Sequence, residues 1–185
     1  MELWDLYDRE GNRTGEIWER RHGKNNLIPE GRYHLVGDVL VKHKDGSFLL
    51  TQRHPDKDVY PAYWDASAGG SAQLGEEPLE CAKRELFEET GIKADNLELI
   101  DISFRDKSHS YIYSYIAYVD CDKESVVLQE EEAVDYRWVD AEGLLKYAES
   151  DLAIITKVQR YQKVYDSIRN GQNELVDKMP QRMQR

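Results

Sequence analysis

The sequence predicts a mixed α/β fold, in which helices pack on the faces of a single mixed sheet. Three observations carry this. Clusters of turn-forming residues, Asp8-Arg9-Glu10-Gly11-Asn12 and Lys44-Asp45-Gly46, each separate two β-rich runs, so strands enter as antiparallel hairpins. Residues 77–90 have helical character and meet a natural stop at Gly91. Ile154, Val158, Tyr161, Tyr165 and Ile168 recur at three- and four-residue steps, the signature of an amphipathic helix. Helices therefore interrupt pairs of strands and do not alternate with single ones, which argues against a doubly wound parallel sheet.

In chain order, residues 2–7 alternate apolar and polar, and 16–19 resume after the first turn, giving an N-terminal hairpin. Residues 34–41 and 47–52 make the second hairpin around Asp45-Gly46. A loop rich in Pro, Tyr and Asp spans 54–64 and precedes the helix at 77–90. Residues 97–104 and 111–119 are β-rich and flank the turn at Asp106-Lys107-Ser108. A further strand is expected at 135–139, a short helix at 141–148 and one continuous C-terminal helix over 151–170. Residues 1–170 thus read as a single domain, including the hairpin at 1–30, followed by a polar, flexible tail at 171–185.

At 185 residues the chain is long enough for one real core, and 12 Tyr, 4 Trp and 3 Phe supply packing area despite 33% charged residues. The net charge of −11 disfavours broad nucleic-acid binding, which wants an excess of Lys and Arg. Charge is uneven: residues 1–150 hold 18 basic and 32 acidic groups, whereas 151–185 hold 7 and 4. There is no run of 18 apolar residues, and residues 1–5 lack the character of a secretory signal, so a cytoplasmic location is expected and a membrane partner is not. Cys81 and Cys121 form neither a disulfide framework nor a zinc signature and read as small hydrophobes.

The chemistry concentrates between Gly70 and Ile92. On a helix, Glu85, Glu88 and Glu89 stand at i, i+3 and i+4 and share one narrow stripe. Leu79, Ala82 and Leu86 form the neighbouring stripe, expected to face the core. Clustered carboxylates repel one another, but their oxygens suit a hard divalent cation such as Mg²⁺ or Mn²⁺. Three Glu alone would read as a solvated acidic face. The surrounding residues reverse that. Gly70, Glu76, Arg84-Glu85, Leu86, Glu88-Glu89, Gly91 and Ile92 fill the pattern GX5EX7REUXEEXGU, with U a bulky aliphatic residue, at all nine specified positions.

This stretch resembles the Nudix box, and the order of elements over about residues 33–150 resembles a Nudix domain, an α/β/α sandwich. The resemblance implies a hydrolase that cleaves the diphosphate linkage of a nucleoside diphosphate derivative or related compound, with Mg²⁺ or Mn²⁺ as cofactor and a small-molecule diphosphate as partner. It implies that Glu85, Glu88 and Glu89 bind the metal, joined by the Gly69 carbonyl, and that Glu76 pairs with Arg84 to aim them. A fourth carboxylate is expected from Glu130, Glu131 or Glu132, as metal ligand or general base. The sequence does not choose among the three; Glu131 is put forward here.

A finer resemblance runs through Glu19-Arg20-Arg21-His22, Tyr33-His34, residues 50–53 and residues 60–64, which are similar to isopentenyl-diphosphate isomerase, itself built on this framework. The positions matching that enzyme's Cys and its nearby His are Gly69 and Ser71, which cannot protonate an alkene. An isomerase-like hydrolase is therefore expected, in preference to a prenyl diphosphate isomerase or a nucleotide-binding module that has kept the fold. Arg53 and Lys57 are assigned to the substrate diphosphate. His22 and His34 read as structural histidines. Tyr60, Tyr63, Trp64 and Phe104 read as core aromatics, with base stacking the alternative. The C-terminal helix fits either a monomer or a homodimer.

Overall fold

A computed structural model describes residues 2–20 and 28–171. An N-terminal hairpin, β1 (Leu3–Tyr7) and β2 (Arg13–Glu19), stands apart from the main sheet. Its turn is held by the Asp8 carboxylate, which accepts from the Glu10 and Asn12 amides at 3.0 and 2.9 Å. A bridge between Tyr7 and Tyr33 ties it to the body.

The main sheet has seven strands: β3 (His34–His43), β4 (Phe48–Arg53), β5 (Trp64–Ala66), β6 (Ala68–Ser71), β7 (Leu97–Arg105), β8 (Ser110–Val119) and β9 (Ala133–Val139). The path runs β5-β4-β3-β8-β7, with β6 paired to β3 and β9 to β4. All pairs are antiparallel except β3 with β8, which run parallel from His34 opposite Ser110 to His43 opposite Val119. That one parallel pair makes the sheet mixed.

Strand periodicity sends successive side chains to opposite faces. Val39 and Val41 meet Ala82 and Leu86 of α1 (Pro78–Thr90) on one face. Leu40, with Phe48, Leu50 and Ile116, meets Leu144, Tyr147, Val164 and Tyr165 of the later helices on the other. Each such fully buried aliphatic side chain contributes about 2 kcal/mol. The result is the layered arrangement expected: helix, sheet, helix.

Three expectations need correction. The C-terminal helix is broken into α3 (Ile155–Arg160) and α4 (Gln162–Arg169), after α2 (Ala141–Ala148). The break falls at Tyr161, at φ −94° and ψ 17°. Arg160 and Tyr161 are both buried, Arg160 against Asp38 and Tyr161 through a hydroxyl that donates to the Tyr115 carbonyl at 3.2 Å. The break accompanies the burial of two adjacent large side chains against the sheet. Leu79 does not join the core face of α1 but lies 40% exposed; Cys81, Ala82, Leu86 and Thr90 form that face. The stretch after the 54–64 loop also contains two strands, β5 and β6, where none was expected. They are joined through Ser67, a non-glycine residue at φ 42°. Its hydroxyl donates to the Leu49 carbonyl at 2.7 Å and accepts from the Val41 amide at 2.8 Å, which offsets the strain.

Candidate active site

Helix α1 is set by its ends. Glu77 and Glu80 form a capping box, Pro78 occupies the first turn, and Gly91 closes the helix at φ 70°, its amide donating to the Phe87 carbonyl at 2.8 Å. The buried face locks the rotation of α1 on the sheet. Glu85, Glu88 and Glu89 therefore face a cleft of about 650 Å³. Gly69 and Gly70 of β6, Arg53 and Lys57 near the end of β4, and Glu132 before β9 also line it.

Arg84 organises the carboxylates. Its Nε and Nη2 donate to the two oxygens of Glu76 at 2.8 Å each, a bidentate fork, and Nη2 also reaches the Ser71 carbonyl at 3.0 Å. Its Nη1 donates to Glu85 at 2.7 Å and to Glu88 at 2.9 Å. The paired Glu76 carboxyl is held below its ordinary value because the Arg84 hydrogen bonds outweigh the effect of burial. The Glu76–Arg84 ion pair read from the sequence is thus present, and Arg84 also quiets the repulsion within the stripe.

Glu89 is placed differently. Among the described residues no Lys or Arg stands within ion-pair distance of it, and its carboxylate accepts only a long bond from the Gly69 amide, 3.4 Å. Burial, and next the Glu85 charge, push its carboxyl well above 4.5. Burial also raises Glu85, in spite of Arg84. A cation would relieve both.

The donor chemistry fits a hard divalent ion: carboxylate oxygens and a nearby backbone carbonyl. The arrangement is not yet closed around one. Among the described residues no three acidic, His or Cys side chains surround a single point, and Arg84 holds Glu85 and Glu88. Glu85 and Glu88 would hold an ion only if released from Arg84.

The glycines of β6 are required by close approach. A Cβ on Gly70 would lie 2.4 Å from the Glu85 carboxylate, and one on Gly69 would lie 2.6 Å from Asp38 Oδ1. Gly70→Ala should therefore push Glu85 off its station, lowering kcat at least about 10²-fold with a small loss of stability. Paired turnover and thermal-melting measurements check this, and an unaltered kcat would refute it.

Glu132, not Glu131, reaches the cleft, where it pairs with Lys57. Glu131 is exposed in the turn before β9. A turn directs neighbouring side chains apart, and sequence spacing could not decide which one faces in. Arg53 lines the cleft with its Nε donating to the Val59 carbonyl at 3.2 Å and its Nη1 3.4 Å from Asp65. His34 is structural: it stacks on Trp4 at 4.3 Å, bonds the His109 carbonyl at 2.9 Å, and burial lowers its pKa to about 4. His22 lies outside the described residues. Cys81 is a buried free thiol pushed up to about 12, chiefly by burial; Cys121 is also free and partly exposed.

Beneath the cleft lies a set of buried charges that sequence reading did not anticipate. Lys157 Nζ bridges Asp38 at 2.8 Å and Asp65 at 2.6 Å, and Arg160 binds Asp38 through Nε and Nη2, both at 3.0 Å. Asp38 is the register partner of Gly69. The helix α3 is thereby pinned to the strands that carry the site. Asp-Arg and Asp-Lys pairs so distant in sequence leave no periodic trace.

A family model described as NUDIX domain matches residues 32–158. The chain belongs to the Nudix family. A Nudix hydrolase of Listeria monocytogenes serovar 1/2a is 34% identical over 150 residues, covering 78% of this chain and 83% of the relative. A nucleoside triphosphatase of Klebsiella pneumoniae is 34% identical over 129 residues, covering 64% of this chain and 89% of that one. The crystal structure of a Deinococcus radiodurans protein superposes with a TM-score of 0.66 at 21% identity, covering 91% of this chain and 98% of that one. This Nudix protein is a hydrolase acting on diphosphate bonds. Among the described residues no helix is long and apolar enough to cross a membrane.

Proposed function

We propose that this Nudix protein is a metal-dependent hydrolase of nucleoside diphosphate derivatives or related diphosphate compounds, with water attacking phosphorus. The observation that carries this reading is Glu89: a buried carboxylate beside Glu85, with no ion-pair partner among the described residues, in a cleft that also presents Arg53 and Lys57. A bound Mg²⁺ or Mn²⁺ would neutralise the diphosphate oxygens and lower the pKa of water. Glu85, Glu88, Glu89 and the Gly69 carbonyl would hold it. Arg84, fixed by Glu76, sets the carboxylates' positions and would release Glu85 and Glu88 to a bound ion. Arg53 and Lys57 would orient the substrate diphosphate. Of the three carboxylates left open by the sequence, Glu132 would serve as the further ligand or the general base, with Lys57 released to substrate.

The isomerase alternative has no support in this site. Gly69 stands where the isomerase Cys would, and a Cβ there would meet both Asp38 and the Gly37 carbonyl. Whether the chain belongs to an isomerase-like branch of hydrolases rests on the N-terminal resemblance alone.

The test is a hydrolysis screen over nucleoside di- and triphosphates, nucleotide sugars, dinucleotide cofactors and prenyl diphosphates, with Mg²⁺, with Mn²⁺ and with a chelator. Product release is expected only with metal. Because Glu85 and Glu89 must be deprotonated to ligate, metal affinity should fall with acidification at a pH above the ordinary carboxylate value of 4.5. Turnover undiminished by exhaustive chelation would overturn the metal assignment, and silence across the panel would overturn the hydrolase reading.

A further inference from the structure

The N-terminal hairpin forms one wall of the active cleft. Glu2, Leu3 and Arg20 line it opposite no function yet assigned to them. The hairpin is fastened to the loop that carries Glu76. The Leu74 amide donates to the Leu3 carbonyl at 2.8 Å, and the Gly75 amide to Asp5 at 2.7 Å. Arg13 donates to the Glu76 carbonyl at 3.2 Å and pairs with Glu77 at 3.0 Å. That wall is therefore in fixed register with the carboxylate stripe.

Arg20 is held in place within the wall. Its Nη1 donates to Glu2 at 2.7 Å, its guanidinium sits 5.8 Å from the Trp4 ring centre, and Trp4 donates to the other Glu2 oxygen at 2.8 Å. Among the described residues Glu2 is the one side chain to which Arg20 donates, and Arg20 itself lines the cleft. The side chain is 41% exposed.

Aromatic rings are engaged elsewhere. Trp4 stacks on His34, Tyr60 packs at a tilt against Tyr63, Trp64 carries Arg137 at 4.0 Å, and Phe104 packs with Tyr33 and Tyr111. Among the described residues that line the cleft there is no aromatic side chain. Among the described lining residues a nucleobase would find guanidinium, carboxylate, amide and two leucines, and no aromatic stacking platform.

We propose that Arg20 binds a further phosphate-type anion beyond the scissile diphosphate, so that the cleft reads its substrate by charge and not by the identity of a base. This rests on the diphosphate-hydrolase reading of the same cleft and adds its specificity. Arg20 enters from the end of the hairpin, Arg53 from the end of β4, Lys57 from the loop after it, and the carboxylates proposed to hold metal lie on α1. A triphosphate-length anion, inorganic or organic, would meet cationic lining residues from both the hairpin and the β4 segment.

Binding separates this from turnover. The Glu89→Gln protein with Mg²⁺ is titrated calorimetrically with inorganic pyrophosphate, inorganic tripolyphosphate, ATP, GTP, CTP and UTP. Tripolyphosphate and the four nucleotides are expected to agree in Kd within about threefold. Adding Arg20→Ala should weaken tripolyphosphate about tenfold but pyrophosphate less than about twofold, and Arg20→Lys should restore most of the loss. A thermal melt of each variant confirms that the hairpin stays folded. One nucleotide binding more than about thirtyfold tighter than tripolyphosphate would overturn the proposal. So would tripolyphosphate binding that is absent, or indifferent to Arg20→Ala. Failure of the hydrolase reading shows elsewhere, as wild-type protein that releases no product in the metal screen.

Discussion

Glu89→Gln should abolish turnover while leaving the protein folded, and in the absence of metal the variant should melt no lower than wild type. The two halves of this result come from one fact. Burial, and next the Glu85 charge, raise the Glu89 carboxyl well above 4.5 in spite of the Lys157 charge, and among the described residues Glu89 makes no ion pair. A carboxyl raised on folding makes the folded state bind the proton more tightly than the unfolded chain. Its penalty is absent below the unfolded value near 4.5 and grows as pH rises toward the folded value. Glutamine, neutral and of the same shape, removes that penalty, so metal-free stability at neutral pH is preserved or increased. The same exchange removes an anionic ligand that the transition state needs, and kcat should fall by about 10³-fold or more. The pair of measurements discriminates. A melting temperature that drops sharply with activity would make Glu89 a structural residue. Full activity would break the metal assignment.

The second large effect lies on the other side of β6. Asp38→Ala should destabilise the protein by about 3–5 kcal/mol, because Arg160 and Lys157 would remain buried with only Asp65 to share. Burial alone would push the Asp38 carboxyl up, but Lys157 and Arg160 outweigh it and hold the group below 3.8. A carboxyl depressed on folding contributes stability that is fully present above its unfolded value and is lost as pH falls through the folded one. Wild type should therefore lose this contribution below about pH 4, whereas Asp38→Ala has none to lose. Urea titrations at neutral pH and through the acid range report both differences. A variant within about 1 kcal/mol of wild type would show that the buried charges are not an energetic keystone of the α3 contact.

Local chemistry made much of the molecule readable. The helical character of 77–90 and the stop at Gly91 defined α1 within a residue, and Asp45-Gly46 defined a hairpin tip, because each signal is local in the chain. The Glu76–Arg84 pair was readable through the motif, whose resemblance implied it, and both residues lie on one loop-and-helix unit. Features made by distant partners were not. Strands β5 and β6, WDA and AGGS, carry almost no β-branched residues; they are strands because β4 and β3 pair with them. The break at Tyr161 reflects what the sheet offers to Arg160 and Tyr161, whereas the helical spacing of Ile154 to Ile168 is continuous. The Asp38–Lys157–Asp65–Arg160 set spans three segments and has no motif. The choice of Glu132 over Glu131 depends on which way one turn faces, and the hairpin's place in the cleft wall depends on hydrogen bonds to residues 74 and 75.

The parallel pairing of β3 with β8 also bears on how the molecule assembles. His34 cannot meet Ser110 until the whole intervening stretch, α1 included, has been looped out between them. Closing so long a loop before its contacts are rewarded slows the rate-limiting step of assembly. A ribosome-bound chain that has released β3 to β6 but not β8 would carry one edge of β3 bare, with Val39 and Val41 uncovered, and would be a natural client for a chaperone.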